Sequence, residues 1–246
     1  MVLLSQLVGM ALTFAIAIGR EEAFPGGQDL VLCVIAGLLG GVGITALYRA
    51  LAVGRMGIVA PITGVLAAII PVGAGVILEG TPKPPVLAGI AVAIAAVVLV
   101  SRVADEGGGR AGLAEALVAG IAIGLFGVVI AQIGDGFVFS SLTVIRGVQS
   151  VLVVVVILVT RSSWRLPRAT IPLVLGVGVL DMAGNSFYLL GVQSGALAIA
   201  SMLSSLYPVT TVILAALILR ERVTREHVVG IAFAAAAIAL IGIGSA

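Results

Sequence analysis

The sequence holds one cysteine, one histidine and one tryptophan in 246 residues. A lone thiol, Cys33, closes no disulfide and builds no thiolate metal site, and inside its apolar run it reads as a small packing residue. The lone imidazole, His227, stands beside Arg225 and Glu226 in a short polar stretch, which removes most histidine-based acid–base and metal chemistry. Charge is scarce as well: charged residues are 10% of the chain, against about 25% in soluble domains. The 13 basic and 11 acidic residues are thinly spread for a net charge of +2, with no basic cluster to track a phosphate backbone, so nucleic acid is not an expected partner. No H-E-x-x-H, no G-x-S-x-G and no acidic metal motif occurs, so no metal or cofactor is implied and an intramembrane enzyme is disfavoured.

What is abundant is apolar. Hydrophobic residues make up 61% of the chain, and the mean hydropathy is +1.31. So few charges cannot clothe a soluble surface, and the 33 glycines and 9 prolines lie among Val, Ile, Leu and Ala without a collagen period. The expectation is an all-α polytopic membrane protein. Nine apolar runs are long enough to cross a bilayer: residues 2–19, 30–48, 56–78, 84–100, 113–133, 138–160, 169–191, 196–219 and 228–245. The first has no basic amino-terminal region and reads as a span and not as a secretory signal. Barrel strands would alternate polar and apolar over about 10 residues, which these continuous runs do not. Gly37, Gly40, Gly41 and Gly43, then Gly120, Gly124 and Gly127, recur at helical spacing and predict close helix contacts. Pro61, Pro71, Pro172 and Pro208 fall within spans and predict kinks.

The most hydrophilic stretch, RVADEGGGR from Arg102 to Arg110, marks residues 102–112 as a linker between residues 1–101 and residues 113–246. The two sides repeat at a displacement of about 140 residues. ALYRALAVGRMGIVAP from Ala46 answers SFYLLGVQSGALAIAS from Ser186, and VILEGTPKPPVLAGIAVA from Val76 answers LILRERVTREHVVGIAFA from Leu217. Four spans precede the linker and five follow it, so the first copy lacks a counterpart of the span at 113–133. An odd number of spans per copy inverts one half relative to the other, a common plan among secondary transporters.

The stretch from Met202 to Gly244, MLSSLYPVTTVILAALILRERVTREHVVGIAFAAAAIALIGIG, resembles the closing helix pair of an EamA-type domain of the drug/metabolite transporter superfamily. Ser201, Ser204, Pro208, Glu221 and Gly230 fill the places of that pattern, and FYLLGVQSGALAIAS resembles the turn before it. In the first copy EGTPKPP makes Glu79 a looser match. The resemblance implies ten helices in two five-helix repeats, of which this chain shows nine, the first being the one expected to be missing. It also implies a secondary transporter, expected to export a small metabolite or amphipathic solute across the cytoplasmic membrane by alternating access, with proton coupling an open option. The alternative is a non-transporting membrane subunit or truncated remnant.

An ionised group at mid-membrane costs about 2.5 to 3.5 kcal/mol and needs a partner or a water-filled cavity. Arg146, near the middle of the sixth span, and Asp181, near the middle of the seventh, are the two that qualify. Either they form a structural ion pair, or Asp181 accepts a proton or contacts a cation while Arg146 steadies it or binds an anionic group. Asn185 and Tyr188 share the helical stripe of Asp181. Ser201, Ser204 and Ser205 form a second stripe, which either faces a cavity or satisfies its own helix carbonyls. Gln132 and Gln149 complete the candidates. Glu79 and Glu221 read as solvated helix ends near Lys83 and Arg220, with a gating role as the alternative. Partners are expected to be membrane lipid and a small-molecule substrate, and the oligomeric state is left open.

Overall fold

A computed structural model describes residues 2–53, 56–101, 112–161, 167–194, 197–204, 206 and 225–245. Its helices in chain order are α1 Val2–Gly19, α2 Gly27–Val53, α3 Met56–Glu79, α4 Pro84–Ser101, α5 Leu113–Ile130, α6 Val138–Thr160, a 3-10 turn at Arg168–Thr170, α7 Ile171–Gln193, α8 Leu197–Ser204 and α9 Arg225–Ser245. No strand occurs among the described residues. In hydrocarbon each backbone N–H and C=O must find a partner within its own segment, and a helix is the arrangement that does this for a single apolar run.

Six of these helices are long and apolar enough to cross a membrane: α1, α2, residues Ile62–Glu79 of α3, α5, α6, and Arg168–Gln193 including α7. Shorter apolar stretches run from Pro84 to Ala96 in α4 and from Val228 to Leu240 in α9. The chain is an all-α polytopic membrane protein. The eighth expected span lies mostly outside the described residues, as do Ser205, Pro208, Glu221, Arg220 and most of the linker.

Two expectations need correction. The second span is longer than its apolar run, because α2 continues to Val53 and carries Arg49 out to Glu115 at the start of α5, Nε to Oε1 3.8 Å. Pro172 lies within its span but in the first turn of α7 and not in the helix interior, so the missing amide is one the helix would leave unsatisfied anyway. At the other end of the preceding helix, α6 stops at Arg161, whose φ of 52° turns its N–H back onto the carbonyls of Ile157 and Leu158.

The helices sort into two compact units, Met1–Thr45 with Phe126–Gly195, and Ala46–Leu125 with Ala196–Ala246. Each draws on both sequence halves. The first unit centres on Cys33, Ala36, Ile130, Leu142, Ile145 and Leu189, so Cys33 is a packing residue inside the protein. The second centres on small side chains, among them Ala68, Ala93, Ala96, Ala234 and Ala237. Glycine sets the closest approaches in both. A Cβ on Gly37 would lie 2.6 Å from Cβ of Val148, and one on Gly178 would lie 2.8 Å from the carbonyl oxygen of Ser5. In the second unit a Cβ on Gly120 would lie 2.7 Å from Cβ of Leu66, and one on Gly244 would lie 2.6 Å from Cγ2 of Val86.

Adding about 140 to the bounds of α1, α2 and α4 carries them onto α6, α7 and α9 within a few residues, and carries the start of α3 onto that of α8. Three of these corresponding pairs are packing partners: α1 with α6 in the first unit, α3 with α8 and α4 with α9 in the second. Carboxylates cap two of them. Oε2 of Glu22, just beyond α1, accepts from the amides of Phe139 and Ser140 at 2.8 and 3.1 Å, at the start of α6. The carboxylate of Glu79, at the end of α3, accepts from the amide of Leu197, the first residue of α8, at 3.0 and 3.1 Å. Glu79 is therefore a cap on another helix, where free amides and the helix dipole favour an anion, and not simply a solvated end beside Lys83.

Candidate functional site

The site is built in the first unit around Arg146, whose side chain is 2% exposed. No apolar environment tolerates a guanidinium without acceptors, and two helices supply them. From α1, Oε1 of Gln6 accepts from Nη1 of Arg146 at 2.8 Å. From α7, Oδ2 of Asp181 accepts from Nη2 at 2.8 Å.

Helix α1 supplies the space as well as an acceptor. Gln6, Gly9, Thr13 and Ala17 are its buried residues, one stripe at helical spacing. A Cβ on Gly9 would lie 2.6 Å from Nη1, 2.7 Å from Cζ and 2.9 Å from Nε of Arg146, so the guanidinium rests where a larger residue would put its side chain. One turn further on, the hydroxyls of Thr13 and Thr143 lie 3.0 Å apart across the α1–α6 contact. Sequence reasoning passed over Gln6 and Gly9. The available signal was that stripe: an amide, a glycine and a threonine spaced along one face of an otherwise apolar helix.

Asp181 differs from its partner in access. Its side chain is 47% exposed, while that of Arg146 is 2% exposed. Asn185, one turn along α7, donates from Nδ2 to the carbonyl oxygen of Asp181 at 2.9 Å and lies 3.4 Å from Asp181 Oδ1. The hydroxyl of Tyr188 donates to the carbonyl oxygen of Gly127 on α5 at 3.1 Å, which ties the same stripe of α7 to its neighbour. Gln149, three residues after Arg146, is buried against α2 beside Gly40.

The ion pair expected between Arg146 and Asp181 is thus formed, with Asn185 beside it. The serines are elsewhere: Ser201 is buried and Ser204 exposed, both in the second unit, and Ser205 lies outside the described residues. Gln132 is exposed in the turn that follows α5. Among the described residues no three His, Cys, Asp or Glu side chains converge on a point that could hold a metal ion.

The sequence pattern of the EamA-like transporter family matches residues 110–243. No curated protein matches the chain by sequence. Among solved structures, one described only as "Crystal structure of protein" is similar over 99% of this chain and 86% of its own, with a TM-score of 0.79 at 17% identity. At that identity the likeness concerns the fold.

Proposed function

Because the chain belongs to the EamA-like transporter family, we propose that it is a secondary carrier that exports a small amphipathic solute across the cytoplasmic membrane by alternating access. The observation that carries this reading is the Arg146–Asp181 pair. A purely structural pair would bury both charges, whereas here one is enclosed and the other presents a carboxylate at mid-helix to whatever fills the space beside α7. The packing of α1 against α6, α3 against α8 and α4 against α9 supports an inverted repeat, in which corresponding helices of two halves can exchange roles as access alternates. In this reading Asp181 and Asn185 contact the solute or a coupling proton, and Arg146 and Gln149 shape the wall behind them. Ser201 and Ser204, like these four residues, lie in the second repeat, residues 113–246, but in the other compact unit.

The test is counterflow in proteoliposomes carrying the full chain, with radiolabelled phenylalanine, phenylacetate and 2-phenylethylamine as probes, with and without an imposed pH gradient. Protein-dependent uptake of at least one probe, lost in Asp181→Asn, is the expected result. Dependence on the pH gradient in the parent and not in Asp181→Asn identifies proton coupling. Inserted, folded protein with no flux of any probe overturns the carrier and leaves a non-transporting subunit or remnant.

A further inference from the structure

The two charges of the pair do not offer themselves equally, and that inequality selects a ligand. Resting on the carrier reading above, we propose that the solute held at this site carries a protonated amine, bound by Asp181 and Asn185, while Arg146 never touches it and serves as a fixed counter-charge.

Arg146 is closed to an anion. One N–H of Nη1 goes to Gln6 and one of Nη2 to Asp181, and burial keeps the remaining donors from an outside ligand, the side chain being 2% exposed. Nε has no hydrogen-bond partner, yet it is held against α1, where a Cβ on Gly9 would lie 2.9 Å away. An incoming carboxylate would have to displace Asp181 and then occupy a position that is 2% exposed.

The open side of the pair presents acceptors. Oδ2 of Asp181 is engaged by Arg146, and Oδ1 lies toward Asn185 on the accessible flank of α7. The Asn185 amide nitrogen faces two acceptors, the carbonyl oxygen and Oδ1 of Asp181. That fixes the amide orientation and turns its oxygen away as a further acceptor. A compact ammonium has three donors and no acceptor, which matches such a pole, whereas a carboxylate has none to give. The guanidinium behind makes the empty site neutral overall, so an amine meets a dipole and not an uncompensated charge. That suits a solute that must be released as well as bound. On the same helix Val177 and Leu180 are exposed beside Asp181, and they favour an amine with an apolar body.

Binding is measured on the purified full chain in lipid nanodiscs with three radiolabelled probes of similar shape: 2-phenylethylamine, phenylacetate and 2-phenylethanol. The amine is expected to bind at least tenfold more tightly than either of the others. Asn185→Leu, which leaves the ion pair intact, should weaken the amine severalfold and weaken 2-phenylethanol, a single neutral donor, by less. The double variant Arg146→Gln with Asp181→Asn removes both charges together and avoids stranding one of them. It should remain monodisperse and lose the amine preference. Phenylacetate bound as tightly as the amine, an amine preference that survives the double variant, or no binding of any probe overturns the proposal. Asp181-dependent amine binding without protein-dependent uptake of any probe supports this proposal and overturns the carrier reading. Protein-dependent uptake of phenylacetate or 2-phenylethanol in place of the amine does the reverse.

Discussion

The two compact units join corresponding helices by different means. In the first, α1, α6 and α7 meet around a guanidinium that takes one acceptor from each neighbour. In the second, α4 and α9 meet through alanines and a glycine, with Ala93, Ala96, Ala234 and Ala237 buried and Gly244 against Val86. Lipid gives no hydrophobic drive for helix association, so the second kind of contact depends on close van der Waals fit. The first depends on directed charge-assisted bonds, which fix one geometry and are costly to leave incomplete. The α4–α9 contact is held by shape and the Arg146 cluster by polar valence, and of the two the cluster leaves a charged atom open to a ligand.

The comparison breaks most sharply if one partner of the pair is removed. Asp181→Leu should cost about 3 to 5 kcal/mol by stranding the Arg146 charge, read as a large loss in thermal midpoint of the detergent-solubilised protein. A negligible shift would place the Arg146 charge in contact with water. Next in size is Gly9→Ala. The added methyl displaces the guanidinium and should cost about 1.5 to 3 kcal/mol in hydrogen bonds to a charged group. The check is whether combining it with Asp181→Leu adds less than the sum of the two alone.

The apolar unit is tested by Gly244→Val, an overpacking of the α4–α9 contact expected to cost about 1 to 3 kcal/mol. Amine binding in nanodiscs should be unaffected by it, because the Arg146 cluster belongs to the other unit. The smallest effect belongs to the caps. Glu79→Gln replaces an anion at the start of α8 by a neutral acceptor and should lose about 0.3 to 1 kcal/mol. Faster amide exchange at Leu197, with α1 unchanged, is the local signature.

Some of this was readable from the chain alone. The bounds of α1 and α6 agree with the expected spans residue for residue, because an abrupt change from apolar to polar sequence coincides with the helix end. Where a helix runs past its apolar stretch, as α2 does to Arg49 and Val53, hydropathy alone cannot place the end, since the backbone ladder continues into a region that water or a carboxylate can satisfy. Arg146 and Asp181 were legible as the two charges at mid-span. Gln6 and Gly9 were not, because an amide and a glycine in an apolar helix acquire meaning only from the residue they face.

Composition and periodicity settled the solvent, the helical class and the two charges that had to be satisfied, because those follow from the transfer cost of each residue and from its spacing along one chain. The tertiary structure decided the pairing of α1 with α6, the acceptor supplied by Gln6, and above all which charge of the pair is enclosed and which is open. Access is a property of the neighbours that surround a side chain, and the helix that covers Arg146 comes from far along the chain, Gln6 and Arg146 being 140 apart.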